Sequence, residues 1–517
     1  MYPDGSTVGW SGPGEGARSR AEPPAPAVLP ALTVLYHPDL ERIGERVFLN
    51  EIACGGEALL SRTAPELVRP GSFAGCPLGD QHLSRKPLRL RGMDGGIAID
   101  ASDSRTSVVA NGSALRGRAR FSAEEVGRGV VLELAGAVVL LLHRIACSAG
   151  PPPPRYGLIG ENPEMLAVRE DVRRVADLEV PVLLRGETGT GKELVARAIH
   201  DAGPRRAAPY VGVNLGAIPA SLSAAELFGA VKGAFTGSVA SQEGYFRRAH
   251  GGTLFLDEIG EAPAEVQVTL LRALETGEVY PVGSASPLRV DVRILAATDS
   301  DLRDFRAPLL HRLAGFDLRL PPLRERRDDI GRLLTHFLRH ELGKIGEGFR
   351  LEAPHWLSPS LVARLARYDW PGNVRQLRNV VQQLVISSRG RAELDGSRLE
   401  RLLQDGLFSI AFPAPPTPPP QPPGRRKPGE VSEDEILEAL RASRWDLKAA
   451  ADQLRISRPS LYTLIESSSR IRKVSDLTTE EIAACHRECR GDLDVMSERL
   501  EVSRRALGRR VREMKLG

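Results

Sequence analysis

Seven residues, Gly186-Glu187-Thr188-Gly189-Thr190-Gly191-Lys192, are the first stretch whose types and spacing suit chemistry. Gly186, Gly189 and Gly191 let backbone N–H groups close on phosphate oxygens, and a helix starting behind them adds favourable partial charge. Lys192 supplies a point charge for the outer phosphates. A second stretch, GGTLFLDEIGE at 251–261, ends an apolar run in two carboxylates. Asp257 suits a magnesium ion shared with phosphate oxygens, and Glu258 suits orienting or activating an attacking water. Either motif alone also reads as a glycine turn or a solvent-facing strand end. Both, in this order, point to nucleotide phosphate chemistry. Glu193 stands where the general pattern has Ser or Thr to hold magnesium.

These residues need a scaffold. VPVLLRG, YVGVNL, GTLFLDE and VRILAATD read as buried strands alternating with helical patterns, which predicts a parallel α/β sheet over residues 156–408, with a helical lid from about 325. Before it, LTVLYH, RVFLNEIA, PLRLRG, GIAIDA, VVLELAG and AVVLLLH are short apolar or alternating runs between Gly, Asp and Asn, which predict an all-β sandwich over 31–147. Residues 1–30 have the composition of disorder, and SAGPPPPR at 148–155 reads as a linker. AFPAPPTPPPQPPGRRKPGE fills most of a second, Pro-rich linker over 409–430, semi-rigid near polyproline II. An all-α segment follows over 431–517.

Blocks across the middle segment, Leu158 to about Leu403, resemble the AAA+ domain of sigma-54-dependent transcriptional activators. They are GETGTGKE, AELFGAVKGAFTGS, GGTLFLDEIGE, VDVRILAATDSDL, FRAPLLHRL, LPPLRERRDDI and YDWPGNVRQLRN. The resemblance implies ATP and magnesium as cofactors and ATP hydrolysis as the activity. Glu187, Thr188, Thr190 and Glu193 then join the glycines and Lys192 around the nucleotide, with Thr298 at the end of the sensor strand. Asn214 would couple Glu258 to nucleotide state, Arg306 and Arg312 would act as arginine fingers, and Arg375 would sense the γ-phosphate from the lid. Planar guanidinium groups suit a charge-dispersed phosphoryl transition state. Fingers acting in trans imply a head-to-tail ring, a hexamer by family expectation. Asp299, Pro281 and the seven-residue spacing from Thr298 to Arg306 depart from the family pattern.

Gly233, Ala234, Phe235, Thr236, Gly237 and Ser238 raise a separate question. Their glycines suit neither helix nor strand, and by composition Phe235 reads as a buried loop anchor. The resemblance implies instead a mobile loop that touches sigma-54 through Phe235 and Thr236.

Residues 431–517 hold one pattern twice, with Ser457 and Ser503 at an offset of 46. Each copy is a helix, a turn and a second helix opened by Ser-Arg, a helix-turn-helix pattern. It resembles the Fis-type DNA-binding domain, which implies a double-stranded DNA partner. Arg458, Ser460 and Tyr462 are candidate contacts in the first copy, and Arg504, Arg505, Arg509 and Arg510 in the second. Six basic residues follow Val502 against the single acid Glu513, so phosphate attraction favours the second copy. The first segment loosely resembles a forkhead-associated (FHA) domain, which implies a phosphothreonine partner met by Arg62, Ser84, Arg85 and Asn111.

The chain has 517 residues and a net charge of +4, too small to select partners globally. The apolar run AGAVVLLL at 135–142 is too short to span a bilayer, and no secretory signal is visible, so a cytoplasmic protein with no membrane partner is expected. Cys54, Cys76, Cys147, Cys485 and Cys489 form neither a disulfide framework nor a zinc spacing. The expectation is a regulator that binds DNA and uses ATP hydrolysis to remodel sigma-54 RNA polymerase into the open complex. The alternatives are a DNA-binding ATP-dependent regulator that does not engage sigma-54, and a protein-remodelling AAA+ enzyme outside transcription.

Overall fold

The computed structural model describes residues 27–147, 151–234, 240–299, 305–404 apart from 354, 355 and 392, and 431–514 apart from 444, 455, 457, 469 and 490. Phe235, Thr236, Gly237 and Ser238 lie outside the described residues, as do residues 1–26 of the segment expected to be disordered (1–30) and all of the Pro-rich linker over 409–430. The chain divides into two compact units, Met1–Ser409 and Ile410–Gly517.

The first unit opens with a two-sheet antiparallel sandwich. One sheet runs in the order β5 (Gly75–Cys76), β4 (Leu67–Val68), β2 (Arg46–Phe48), β1 (Val28–Tyr36), β12 (Val138–Ala146), β11 (Val130–Leu134), β8 (Val108–Ala110), β9 (Ser113–Ala114). The other runs β10 (Arg118–Phe121), β7 (Gly96–Asp100), β6 (Leu88–Met93), β3 (Glu57–Leu60). Two short helices, α1 (Asn50–Ala53) and α2 (Ala123–Arg128), close the ends; a Ser122–Glu125 capping box starts α2. The first strand begins at Val28, three residues before the expected boundary.

Leu32, Val34, Leu132, Leu134, Leu140 and Leu142 point between the sheets. The alternate residues Leu35, Val131, Val139 and Leu141 are equally buried, against lid residues such as Leu334, Leu338, Leu361 and Leu365. Those strands are covered on both faces, which is why they read as continuous apolar runs instead of alternating ones. Helix and strand meet closely: a Cβ on Gly331 would lie 2.2 Å from the Leu35 carbonyl oxygen.

The middle of the unit is a five-stranded parallel sheet, β14 (Tyr210–Asn214), β15 (Thr253–Asp257), β18 (Arg293–Thr298), β13 (Val182–Arg185), β19 (Phe316–Arg319). Helices α3 (Pro163–Val175), α4 (Lys192–Ala202), α5 (Ala220–Phe228), α6 (Tyr245–Arg248), α7 (Ala264–Thr276) and α8 (Ala307–Leu313) surround it, with a hairpin of β16 (Glu278–Val279) and β17 (Leu288–Arg289). The lid comprises α9 (Ile330–Lys344), α10 (Pro359–Arg367), α11 (Asn373–Ser387) and α12 (Leu399–Gln404).

The second unit holds α13 (Glu433–Ala442), α14 (Leu447–Leu454), α15 (Arg458–Ser467), then α16 (Thr479–Glu488), α17 (Leu493–Leu500), α18 (Arg504–Glu513). The repeat extends to the caps: Ser432–Glu435 and Thr478–Glu481 form capping boxes at matching positions. The core repeats too, with Ile436, Ala439, Ala450 and Leu461 buried where Ile482, Cys485, Met496 and Leu507 are buried. Arg441 and Glu501 join the copies at 3.0 Å. Cys485 packs inside, 3.7 Å from the Cys489 sulfur. Among the described residues no helix is long and apolar enough to cross a membrane.

At the sandwich–lid boundary His143 is buried and bonded to the Thr33 hydroxyl at 2.9 Å. Burial pushes its pKa down to about 4, against a weaker upward pull from Asp328. Between that value and the ordinary one, the unfolded chain takes up a proton that the folded chain refuses. Its contribution is therefore complete above pH ~6.5 and lost as pH falls towards ~4, by up to about 3 kcal/mol. Asp329, pushed up to about 7 by burial, acts with the opposite sign over an overlapping window. Urea unfolding at neutral and mildly acidic pH should therefore show a smaller acid loss, relative to wild type, in His143→Gln. Parallel pH curves for the two proteins would contradict this account of His143.

Candidate functional site

The glycine-rich loop joins β13 to α4, and Gly191, at φ 108, adopts the left-handed conformation that lets the helix begin at Lys192. Lys192 Nζ donates to the carbonyls of Gly186 at 2.7 Å and Glu187 at 3.3 Å. Burial lowers its pKa, while Asp299, Asp257 and Glu258 pull it upward. The lysine is thus held folded back over the loop, among three carboxylates, where an incoming polyphosphate would find it.

A cavity of 530 Å³ opens over this loop, lined by Thr188 to Val195, Asp257, Glu258, Asp299 and Arg375. Its lining also includes apolar residues, among them Leu158, Ile159, Leu333 and Phe337. Charged and apolar groups together in one cavity match the needs of a nucleotide, and the volume falls within the range of small-molecule sites. Asp257 Oδ1 accepts the Glu258 N–H at 3.0 Å. Among the described residues no group of three or more His, Cys, Asp or Glu could hold a metal. Magnesium takes one or two carboxylates and completes its shell with phosphates and water, a demand that Asp257 meets.

Glu258 has φ 54, a left-handed backbone unusual for a residue with a side chain. A Cβ on Gly216 would stand 2.1 Å from Glu258 Oε2 and 3.3 Å from Asn214 Oδ1. Glu258 and Asn214 therefore flank one glycine, at the ends of neighbouring strands β15 and β14. Asn214 Oδ1 also accepts the Ala217 N–H at 3.3 Å.

Two expected ligands sit differently. Glu187 is turned to the lid, where Arg324 donates to its two oxygens at 2.6 and 2.8 Å and Asn373 at 3.1 Å. Those donors, the arginine first, lower its pKa. Thr298 is buried beneath the loop, and its carbonyl accepts the Gly186 N–H at 3.2 Å. Asp299 lines the cavity instead and pairs with the Thr188 hydroxyl. Arg306 and Arg312 are exposed at the two ends of α8, outside the cavity lining, with Arg312 3.6 Å from Glu275.

Sequence reasoning missed the lid's grip on the loop. Asn373 Nδ2 donates to the Thr188 carbonyl at 3.0 Å, the Arg375 N–H to Gly189 at 3.3 Å, and Arg326 to Thr190 at 3.3 Å. The signal lies in LPPLRERRDDI and YDWPGNVRQLRN, whose charged and amide side chains have no spacing that points to a partner more than 130 residues earlier.

In the sandwich, Arg62 and Ser84 come together, the Arg62 N–H donating to the Ser84 carbonyl at 3.0 Å, and Arg85 follows on the same exposed loop. The Ser84 N–H donates to the Thr106 hydroxyl at 2.9 Å. Asn111 does not join them. It turns the chain between β8 and β9 at φ 48, and its Oδ1 accepts the Val131 N–H at 2.9 Å. Asn111 lies past the far end of β8 (Val108–Ala110), whereas Thr106 precedes that strand. Thr106, just before β8, is the residue that meets Ser84.

On α18, Arg504 pairs with Asp494 at 2.9 Å and Arg510 with Glu513 at 3.2 Å, while Arg509 is exposed. On α15, Tyr462 is partly exposed and Ser460 half-buried. The side chains of Arg458 and Arg505 are outside the described residues.

A parallel five-stranded sheet with a glycine loop, an Asp-Glu strand end and a helical lid is the AAA+ class of module. Three family descriptions match the chain: "Sigma-54 interaction domain" over 158–319, "AAA+ ATPase lid domain" over 324–407, and "Bacterial regulatory protein, Fis family" over 428–463. The last falls on the first helix-turn-helix copy. The NorR anaerobic nitric oxide reductase transcription regulator of Vibrio vulnificus is 38% identical over 352 residues, which cover 63% of this chain and 67% of that protein. The DNA-binding transcriptional regulator NtrC of Klebsiella pneumoniae is 45% identical over 270 residues, covering 51% and 55%. A solved structure of NtrX from Brucella abortus in complex with ATP is similar at 28% identity, with a TM-score of 0.43 and 69% of each chain covered. The chain belongs to the sigma-54-dependent transcriptional activator family. It spans about half the length of the curated NtrC relatives it matches.

Proposed function

We propose that this protein binds DNA and uses ATP hydrolysis in its AAA+ module to remodel sigma-54 RNA polymerase into the open complex. The observation that carries this reading is the cavity itself: Lys192, Asp257 and Glu258 converge on one charged pocket that the lid closes through Arg375. In this reading Lys192 and the loop N–H groups seat the phosphates, and Arg375 contacts the outer one. Asp257 holds magnesium, which supplies charge neutralisation when bound. Glu258 takes the proton of the attacking water, and Asn214 restrains that carboxylate until nucleotide is in place. Arg306 and Arg312, on the outside of the module, suit contact with a neighbouring subunit in a hexameric ring.

Gly233 to Ser238 would meet sigma-54. Phe235→Ala should leave ATP hydrolysis within a few-fold of wild type and abolish open-complex formation in vitro. Glu258→Gln should keep ATP binding and lose both, with hydrolysis down by roughly 10²–10⁴-fold. Loss of hydrolysis in Phe235→Ala would place that loop in the ATP machinery, and retention of both activities would make it only a turn.

DNA binding is assigned chiefly to α18, whose exposed Arg509 and neighbouring Arg510 supply phosphate contacts, with α15 contributing Arg458, Ser460 and Tyr462. Reversing charge at Arg509 and Arg510 should abolish binding. Unchanged affinity and unchanged salt slope would return the role to the first copy.

We read the sandwich as an FHA-like sensor of phosphothreonine through Arg62, Ser84 and Arg85, with Asn111 serving only the turn. Calorimetry should show a phosphothreonine peptide binding wild type and not Arg62→Ala. Equal binding of the unphosphorylated peptide would end that assignment.

A further inference from the structure

The junction of sandwich and lid holds more positive charge than it neutralises. On its inner side Arg46 faces Asp328 at 3.6 Å, and Arg169 faces Glu161 at 3.2 Å. Arg326 and Arg332 are buried beside Asp328, Asp329 and Glu161. On its outer side Arg155 reaches the same Glu161 at 3.4 Å. Arg69 and Arg339 both close on Glu41, at 4.0 and 3.0 Å. Seven guanidinium groups thus share four carboxyl groups, one of them Asp329, whose pKa burial raises, so positive charge exceeds negative by at least three. His143, whose pKa is pushed down to about 4, adds no charge at neutral pH. Concentrated like charge favours a counter-charge, most strongly at the inner, largely buried arginines and less at Arg69, Arg155 and Arg339, which are about half or more exposed.

Four of the seven, Arg69, Arg155, Arg332 and Arg339, line one cleft of 190 Å³. Glu41 is the single carboxylate in its lining, and its side chain is 70% exposed, so it can swing out to solvent. Arg332 donates to the Gly44 carbonyl at 3.1 Å, while its buried Nε has no partner. The volume falls below the roughly 300 Å³ at which sites for drug-sized ligands begin, so the cleft suits an ion more than a nucleoside. Converging guanidinium forks match the geometry of phosphate oxygens.

We propose that this cleft binds a small, free, multiply charged oxyanion of the phosphate class, seated by Arg69, Arg155, Arg332 and Arg339. These residues come from the turn after β4, the segment before α3, and α9. A bound anion cross-links sandwich, connecting segment and lid, and it does so independently of the phosphothreonine reading. Inorganic pyrophosphate is the probe, titrated into the full chain with the glycine-rich loop filled by a non-hydrolysable ATP analogue. Saturable calorimetric binding and a raised melting temperature are expected. Arg69→Gln combined with Arg339→Gln, both on half-exposed positions, should weaken binding by at least about tenfold, and Lys192→Ala should leave it intact. Absence of binding, indifference to the arginine pair, or loss in Lys192→Ala overturns the proposal. So does an arginine-pair effect seen only with a phosphothreonine peptide.

Discussion

The first unit depends on one short run, Arg324 to Asp329, which joins the sandwich, the segment before α3, the glycine-rich loop and the lid. Arg324 holds Glu187 and Arg326 holds the Thr190 carbonyl, so the glycine-rich loop is gripped from the lid side. Arg327 donates to the carbonyls of Ala366 and Tyr368 and so anchors the end of α10. Asp328 accepts from Asn162 at 2.8 Å and faces Arg46 of the sandwich, and Asp329 accepts the N–H groups of Glu161 and Asn162. Removing one partner from such a buried set leaves an uncompensated charge, which costs more than the pair contributes. Any change in lid position must therefore be accommodated at the loop and at the sandwich together.

That dependence explains what was legible in the sequence and what was not. The loop, the Asp257-Glu258 strand end and the helical repeat are local patterns, with chemistry fixed by a few neighbouring residues. The second face of β1, β11 and β12 is not local. The run AGAVVLLL reads by its length as too short for a membrane span, yet a continuous apolar run in an antiparallel sheet already means cover on both faces. Its cover comes from lid helices some 200 residues later, which periodicity cannot reveal. Asn111 failed for a related reason: residue type suited a phosphate contact, but its place in the Asn-Gly turn committed its side chain to Val131. Glu187 sits inside a phosphate-binding pattern and still spends its charge on Arg324.

The tandem repeat separates packing constraint from surface use. Buried positions match at a fixed offset, and so do the capping boxes, because each copy must fold around its own core. The outward positions have no such requirement, and there the copies differ: α18 carries a run of arginines, α15 a tyrosine and hydroxyls. Base-edge readout tolerates neutral side chains, whereas phosphate attraction requires charge. Two copies joined by Arg441 and Glu501 can therefore divide positioning from reading within one chain, where a single copy must do both.

The catalytic corner shows the same economy of backbone. Glu258 holds a left-handed conformation, costing of order 1–3 kcal/mol for a residue with a side chain, and such strain persists only where surrounding contacts over-determine it. Here those contacts are Asp257, which accepts the Glu258 N–H, and the buried Ile259 immediately after it. The bend carries the carboxylate off the strand direction and onto Gly216, beside Asn214. A side chain at 216 would displace the carboxylate from this position, so the glycine allows the close approach of Glu258 to Asn214. On the proposed mechanism, Glu258 moves between resting and acting positions by side-chain rotation on this fixed backbone, a motion that a change at Asn214 on the neighbouring strand end would bias.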